Sequence, residues 1–204
     1  MTECFRFAVS DDAADILEIY TPIALNTPTC FELEAPTLEE MQRRIRTIQE
    51  QYPWVVYEKD GKVLGYAYAG PHRARPAYNW SADLSVYVNP SMRRKGLGRA
   101  LYTALFNILK QQGIVNVYAG VTLPNPGSVG LHEALGFTPV GIYHQVGYKL
   151  GKWHDICHFQ FSLLDHIQDP AAPLSFPIIK DSSACLEALQ DGLHMFQAQL
   201  HTQA

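Results

Sequence analysis

The chain has 204 residues, 16 Lys plus Arg against 20 Asp plus Glu, a net charge of −4, and a composition of 47% hydrophobic and 18% charged residues. A chain this long buries about 70% of its unfolded surface and needs no metal or disulfide to fold. The negative balance argues against bulk nucleic-acid binding, and no apolar run approaches the roughly 18 residues of a membrane-spanning helix.

Phe5-Arg6-Phe7-Ala8-Val9 alternates apolar and polar residues and is expected to form a first strand. Ser10-Asp11-Asp12 offers N-caps for a helix whose apolar face carries Ile16, Leu17, Ile19 and Tyr20, with Pro22 near its end. After a loop through Pro28 and Pro36, Thr37-Leu38-Glu39-Glu40 has the capping-box pattern, and Met41, Ile45 and Ile48 follow at helical spacing. Trp54–Tyr57 and Val63–Tyr68 are strands joined at Asp60-Gly61, a hairpin signal. A loop rich in Pro and Arg, 70–79, precedes a strand at Asp83–Val88. The basic turn Arg93–Gly98 then opens a helix with Leu101, Leu105, Ile108 and Leu109 on one face, closed by Gly113. A strand at Val115–Ala119, a short helix from Pro126 to Gly136, and strands near 137–147 and 153–163 complete the compact part. Strands and helices mix in this order, which predicts a mixed α/β sheet.

From Asp165 the character changes. Asp169-Pro170-Ala171-Ala172-Pro173 has the composition of a linker, and Leu186, Leu189, Leu193, Phe196 and Leu200 then recur at spacings of three and four. That face suits a helix docked on its own domain or a dimer contact. Two regions are expected, 1–164 and 165–204. Cys4, Cys30, Cys157 and Cys185 lie far apart without a Cys-x-x-Cys, and the opening residues lack a basic stretch followed by an apolar one. Reduced thiols, no signal peptide and a cytoplasmic location are the expectation.

The most informative stretch runs from Val86-Tyr87-Val88 to Arg93-Arg94-Lys95-Gly96-Leu97-Gly98-Arg99. A strand feeds a glycine turn that opens a helix. Glycine lets the backbone approach a ligand closely, and a helix N-terminus carries roughly half a positive charge. These features suit a pyrophosphate cradle, or a basic surface turn before an ordinary helix. The P-loop pattern is absent, and so is the three-glycine dinucleotide fingerprint.

Arg-x-x-Gly-x-Gly after a strand resembles the acetyl-CoA pyrophosphate loop of the GNAT N-acetyltransferase superfamily. The run from Leu123 to Phe137 resembles its second cofactor segment. Tyr52-Pro53-Trp54, Tyr68-Ala69-Gly70-Pro71, Ala77-Tyr78-Asn79-Trp80, Ser85-Val86-Tyr87-Val88, Leu131–Phe137 and Gly151-Lys152-Trp153-His154-Asp155 resemble one branch, the phosphinothricin and methionine sulfoximine/sulfone acetyltransferases. The likeness covers about residues 4–164. It implies the GNAT fold: a central mixed sheet of seven strands flanked by about four helices, here with a C-terminal helical extension. It also implies transfer of an acetyl group from acetyl-CoA to a primary amine by direct attack.

An ammonium must lose its proton before its nitrogen can attack a thioester, so a base is needed near the amine. The family places a Glu on the fourth strand, where this sequence has Asp83. The resemblance assigns Asp83 as base and His132 as donor to the departing thiolate or as a relay with Asp83. It assigns Val86, Tyr87, Val88, Arg93, Arg94, Lys95, Gly96, Leu97, Gly98, Arg99, Asn125 and Ser128 to the cofactor, with the strand amides around Val86–Val88 serving the oxyanion. Arg73 and Arg75 suit the anionic end of an amino-acid analogue, and Tyr78 and Phe31 match positions lining the branch's amino-acid pocket. Each residue also has a plain structural reading: a salt bridge for Asp83, a satisfied helix histidine for His132, a solvated loop for the arginines and core for Phe31. His154 and His158 lack a third ligand, so no metal is expected, and Trp153-His154-Asp155 is read as structural. A small-molecule amine, a homodimer, and no nucleic-acid or membrane partner complete the expectations. A different amine (polyamine, aminoglycoside or protein N-terminus) and a silent acetyl-CoA-binding module are the alternatives.

Overall fold

In a computed structural model that describes residues 2–202, seven strands form one sheet in the order β1-β2-β3-β4-β5-β7-β6. The strands are β1 (Glu3–Phe7), β2 (Trp54–Lys59), β3 (Lys62–Pro71), β4 (Ser81–Val88), β5 (Asn116–Leu123), β6 (Thr138–Lys149) and β7 (Lys152–Ser162). The helices are α1 (Ala13–Asn26), α2 (Leu38–Gln49), α3 (Leu97–Gln112), α4 (Pro126–Ala134), α5 (Phe176–Ile179) and α6 (Ser183–Thr202). All neighbouring strands run antiparallel except β4 and β5, which run parallel. The expected mixed α/β sheet is the one observed.

The two faces of the sheet carry separate cores. On one, Ile16, Ile19, Tyr20 and Ile23 of α1 and Met41 and Ile45 of α2 pack on Trp54, Val56 and Tyr66. On the other, Leu101, Leu105, Ile108 and Leu109 of α3 pack on Val55, Tyr57 and Ala67, joined by Phe176, Ile179, Ala188 and Phe196 of the C-terminal extension. Asp60 and Gly61 both take positive φ, as the two-residue hairpin requires, and Leu150-Gly151 repeats the device between β6 and β7. Thr37 caps α2 by accepting from Glu40 N at 3.1 Å.

Three local expectations change. Asp12 does not cap α1 with its side chain; it binds Arg6 through both oxygens (2.6 and 2.7 Å) and accepts from Val9 N. Pro22 lies inside α1, near its end as expected, four residues before Asn26. An interior proline costs about 3 kcal/mol, and burial of Tyr20, Ile23 and Ala24 around it offsets that loss, at about 1.5–3 kcal/mol for a single large apolar side chain. The stretch read as a linker is pinned: Ala171 O accepts from Trp80 Nε1, and Gln112 Nε2 donates to Leu174 O and to Gln51 O. In α6 the buried stripe is Cys185, Ala188, Leu189, Gly192 and Phe196, and Leu186 faces outward.

Candidate active site

The site originates in a parting of strands. β4 pairs with β5 only through Ser81↔Asn116, Ala82↔Val117 and Asp83↔Tyr118. Beyond Asp83, β4 keeps its pairing with β3 as far as Val88, and β5 keeps its pairing with β7 as far as Leu123. The sheet therefore opens between two parallel strands at their carboxyl ends, where α/β sheets take ligands. One edge of β4 from Leu84 to Val88 is left without a ladder partner, so its backbone groups are available to a ligand.

The opening holds a cleft of about 570 Å³. Val86, Tyr87 and Val88 form one wall; Arg93, Arg94, Gly96, Leu97, Gly98 and Arg99 form the turn; Asn125, Gly127, Ser128 and Leu131 form the far side. Gly96 (φ 86°) is the N-cap of α3, and no side chain among the described residues caps that helix. The first amides of α3 are thus free to meet an anion, with the helix dipole behind them. Gly98 lies in the first turn of α3 rather than in the turn before it. α4 also opens on the cleft, its N-cap Asn125 accepting from Ser128 N at 3.1 Å. Uncapped helix amides, an unpaired strand edge and three arginines fit the pyrophosphate and pantetheine of acetyl-CoA. Eleven of the twelve residues expected at the cofactor line this cleft. Lys95 does not: Arg94 (φ 58°) and Gly96 reverse the chain on either side of it, and its side chain is exposed to solvent. Behind the turn stands a residue that sequence reasoning missed. A Cβ on Gly96 would lie 1.6 Å from Gln199 Oε1, so α6 packs directly on the pyrophosphate turn.

Asp83 sits at the point of parting. Its side chain is half exposed, yet protein surrounds it closely enough that lost hydration pushes its pKa up. That effect outweighs the downward pull of the His72 hydrogen bond and of Arg73 and His158. His72 Nδ1 lies 2.6 Å from Asp83 Oδ1, and the His72 ring is stacked on Tyr118 (4.2 Å, 19°) with Tyr78 edge-on (5.8 Å). His158, on β7, has its Nε2 buried with no partner among the described residues, and burial holds its pKa down. Tyr52 feels the Asp83 charge as well; burial first and Asp83 second raise its hydroxyl pKa. A second recess of about 450 Å³ adjoins this group, lined by Tyr52, Arg73, Asn79 and Gln51 among others.

Other expected residues lie elsewhere. His132 makes no relay with Asp83. It is 3% exposed, its Nδ1 donates to Ser128 O at 2.7 Å, and its ring is packed among Tyr102, Phe137 and Phe159. Burial lowers its pKa, so it stays neutral inside α4's seat. Arg73 turns back to donate to the His72 carbonyl, and Arg75 lines neither recess, so the two do not form a clamp. Phe31 packs on Gly147, where a Cβ would lie 2.0 Å from its ring, and faces His154. Asp155 closes the bulge in β6 by accepting from Gln145 N and His144 Nδ1. His154 Nε2 bonds Lys149 O, while buried Lys149 donates to the carbonyls of Ala24 and Cys30. His154 and His158 therefore serve different neighbours.

A family model described as an acetyltransferase (GNAT) domain matches residues 5–157. The chain belongs to the GNAT acetyltransferase family. It is 41% identical over 155 residues to the phosphinothricin N-acetyltransferase of Streptomyces viridochromogenes, covering 76% of this chain and 85% of the relative. It is 34% identical over 165 residues to an L-methionine sulfoximine/L-methionine sulfone acetyltransferase of Salmonella typhimurium, covering 79% and 95%. Among solved structures, a GNAT superfamily phosphinothricin acetyltransferase from Sinorhizobium meliloti in complex with acetyl-CoA superposes with a TM-score of 0.78 at 34% identity, over 86% of this chain and 99% of that one. This GNAT enzyme is an N-acetyltransferase that uses acetyl-CoA as its acetyl donor.

Proposed function

We propose that this enzyme acetylates the α-amine of a small amino-acid-like compound, with phosphinothricin and methionine sulfoximine or sulfone as first candidates, by direct attack within a ternary complex. The observation that carries the reading is Asp83, a carboxylate standing where β4 and β5 separate and heading the strand whose Val86–Val88 segment walls the cofactor cleft. At about 3.3 Å per residue the carboxylate lies roughly 10 Å along the strand from Val86. Arg73, on the rim of the neighbouring recess, is suited to the acceptor's anionic end, and Tyr78 stands edge-on to His72. Arg93, Arg94, Arg99 and the amides of Gly96–Gly98 hold the pyrophosphate, and the free edge at Val86–Val88 supplies donors to the oxyanion. His132 serves the packing of α4.

Residues 1–164 act as the acetyltransferase domain, and 165–204 as an extension that braces it. The enzyme works in the cytoplasm; its four cysteines are unpaired, and among the described residues no helix is long and apolar enough to cross a membrane. It works as a homodimer. Edge strand β6 supports this with exposed Val140, Ile142, Tyr143 and Tyr148, apolar surface that a second copy would cover. Sedimentation giving a monomer at working concentration would remove the dimer. Release of CoA measured against phosphinothricin, methionine sulfoximine, other amino acids, a polyamine and an alanine-starting peptide tests the substrate class. Preference for the peptide would favour a protein N-terminus, a second reading supported by 31% identity (TM-score 0.75) to a ribosomal-protein-alanine N-acetyltransferase from Brucella melitensis.

A further inference from the structure

We infer that His72 is the group that removes the proton from the acceptor amine, with Asp83 as the carboxylate that orients and balances it; this rests on the acetyl-transfer reading of the Asp83 site. The two side chains form a dyad at 2.6 Å through His72 Nδ1. With the Nδ1 proton given to Asp83, the lone pair lies on Nε2. That nitrogen has no partner among the described residues and is not sealed from solvent. The ring is held in one orientation by Tyr118 beneath it and Tyr78 at its edge. A pre-oriented imidazole with one nitrogen on a carboxylate and the other free is the arrangement a general base needs.

Reference affinities favour histidine over aspartate for the proton. An α-amino group has a pKa of about 8, imidazole about 6.5 and an aspartate carboxyl about 3.9. Moving the proton to an isolated carboxylate is therefore unfavourable by roughly 10,000-fold, and to imidazole by only roughly 30-fold. The upward displacement of Asp83 narrows that gap. Asp83 is also one methylene shorter than glutamate, and His72 supplies the missing reach. The charged and titratable groups around the dyad are Arg73 and Tyr78 from the segment after β3, Tyr118 from β5, His158 from β7 and Tyr52 after α2.

The step balances. An N–H bond of the ammonium breaks, its electron pair stays on nitrogen, and the proton passes to Nε2, giving an imidazolium paired with Asp83. The nitrogen pair forms the bond to the thioester carbonyl carbon. Attack moves the C=O π pair onto oxygen; on collapse that pair re-forms the carbonyl, the C–S bond breaks, and sulfur leaves with the C–S pair and takes the second nitrogen proton, giving the amide and CoA thiol. His72 then returns its proton to water.

The test is His72→Asn, whose side-chain amide can still donate to Asp83, compared with Asp83→Asn. We expect His72→Asn to lower kcat by about 100- to 10,000-fold, with KM for acetyl-CoA within about twofold. The pH–rate profile should lose its dependence on an enzyme base, leaving a residual rate that climbs as free amine accumulates. Imidazole added to His72→Ala should restore part of the rate, which a merely structural role would not allow, and this arm carries the test if the Asn variant fails to fold. Wild-type turnover in His72→Asn together with a large loss in Asp83→Asn would overturn the inference and leave Asp83 as the base itself. Wild-type turnover in both would overturn the reading of the site on which the inference rests.

Discussion

The donor cleft draws mostly on two continuous stretches, 86–99 and 125–131, with Ile23, Thr27 and Thr29 from the end of α1 and the loop after it, and meets its ligand with backbone amides, glycines and arginines. The acceptor side takes single side chains from distant places: His72 from the segment after β3, Asp83 from β4, Tyr118 from β5, His158 from β7 and Tyr52 after α2. A thioester carrier common to a whole family can be held by turn chemistry that tolerates change elsewhere. An acceptor amine needs a particular proton acceptor at a particular spot, and five elements must agree to build it.

If that contrast holds, damage to the two ends should appear in different constants. Asp83→Asn should give the largest effect, a loss of about 100- to 10,000-fold in kcat with unchanged affinity for acetyl-CoA; a rise confined to the acetyl-CoA KM would merge the two regions. Arg93→Ala with Arg94→Ala should do the reverse. Each arginine removes a charge-assisted phosphate contact of about 1.5–3 kcal/mol, so calorimetric affinity for acetyl-CoA should fall at least tenfold while the kcat of saturated enzyme changes little.

Gly96→Ala should weaken acetyl-CoA binding by about tenfold, since a left-handed residue with a Cβ costs about 1–2 kcal/mol and its methyl would meet Gln199. Adding Gln199→Ala should recover the contact part and leave the backbone part; full recovery would mean that α6 alone sets the turn. A smaller effect separates the two histidines. His132 is held neutral by burial, so below its ordinary value near 6.5 the unfolded chain takes up a proton that the folded chain refuses, and stability falls with acidification. The melting temperature should drop between pH 7 and pH 5, less so in His132→Asn, whose amide can keep the bond to Ser128; equal slopes would remove His132 from the pH response. Lys95→Ala should be the mildest change, leaving the acetyl-CoA KM within about twofold, because an exposed charge outside the cleft is screened by solvent.

Histidine 72 shows why the acceptor side was hard to read. It lies alone in a Pro- and Arg-rich loop, with no spacing to mark it, and its meaning depends on antiparallel pairing that sets Gly70 opposite Asp83. The available signal was indirect: an Asp where the resembled family has Glu leaves a gap that another polar group can fill. His132 misled for the converse reason. Its place in a family motif suggested chemistry, but motif position does not reveal that Tyr102, Phe137 and Phe159 enclose the ring.

The sequence by itself determined the mixed sheet, the Asp60-Gly61 hairpin, the basic turn that opens at Arg93 and the helix start at Pro126. Each depends on residues within a few positions of one another, where φ preference, capping and periodicity act directly. Only the tertiary structure decided that Asp83 meets His72, that Arg73 and Arg75 do not converge, that Lys95 leaves the cleft and that Gln199 lies against Gly96. Lys95 is turned out by the backbone reversal at Arg94 and Gly96, while the meetings of Asp83 with His72 and of Gln199 with Gly96 follow from strand register and helix docking, which join residues 11 and about 100 positions apart. Burial and packing select such contacts, and no local pattern records them.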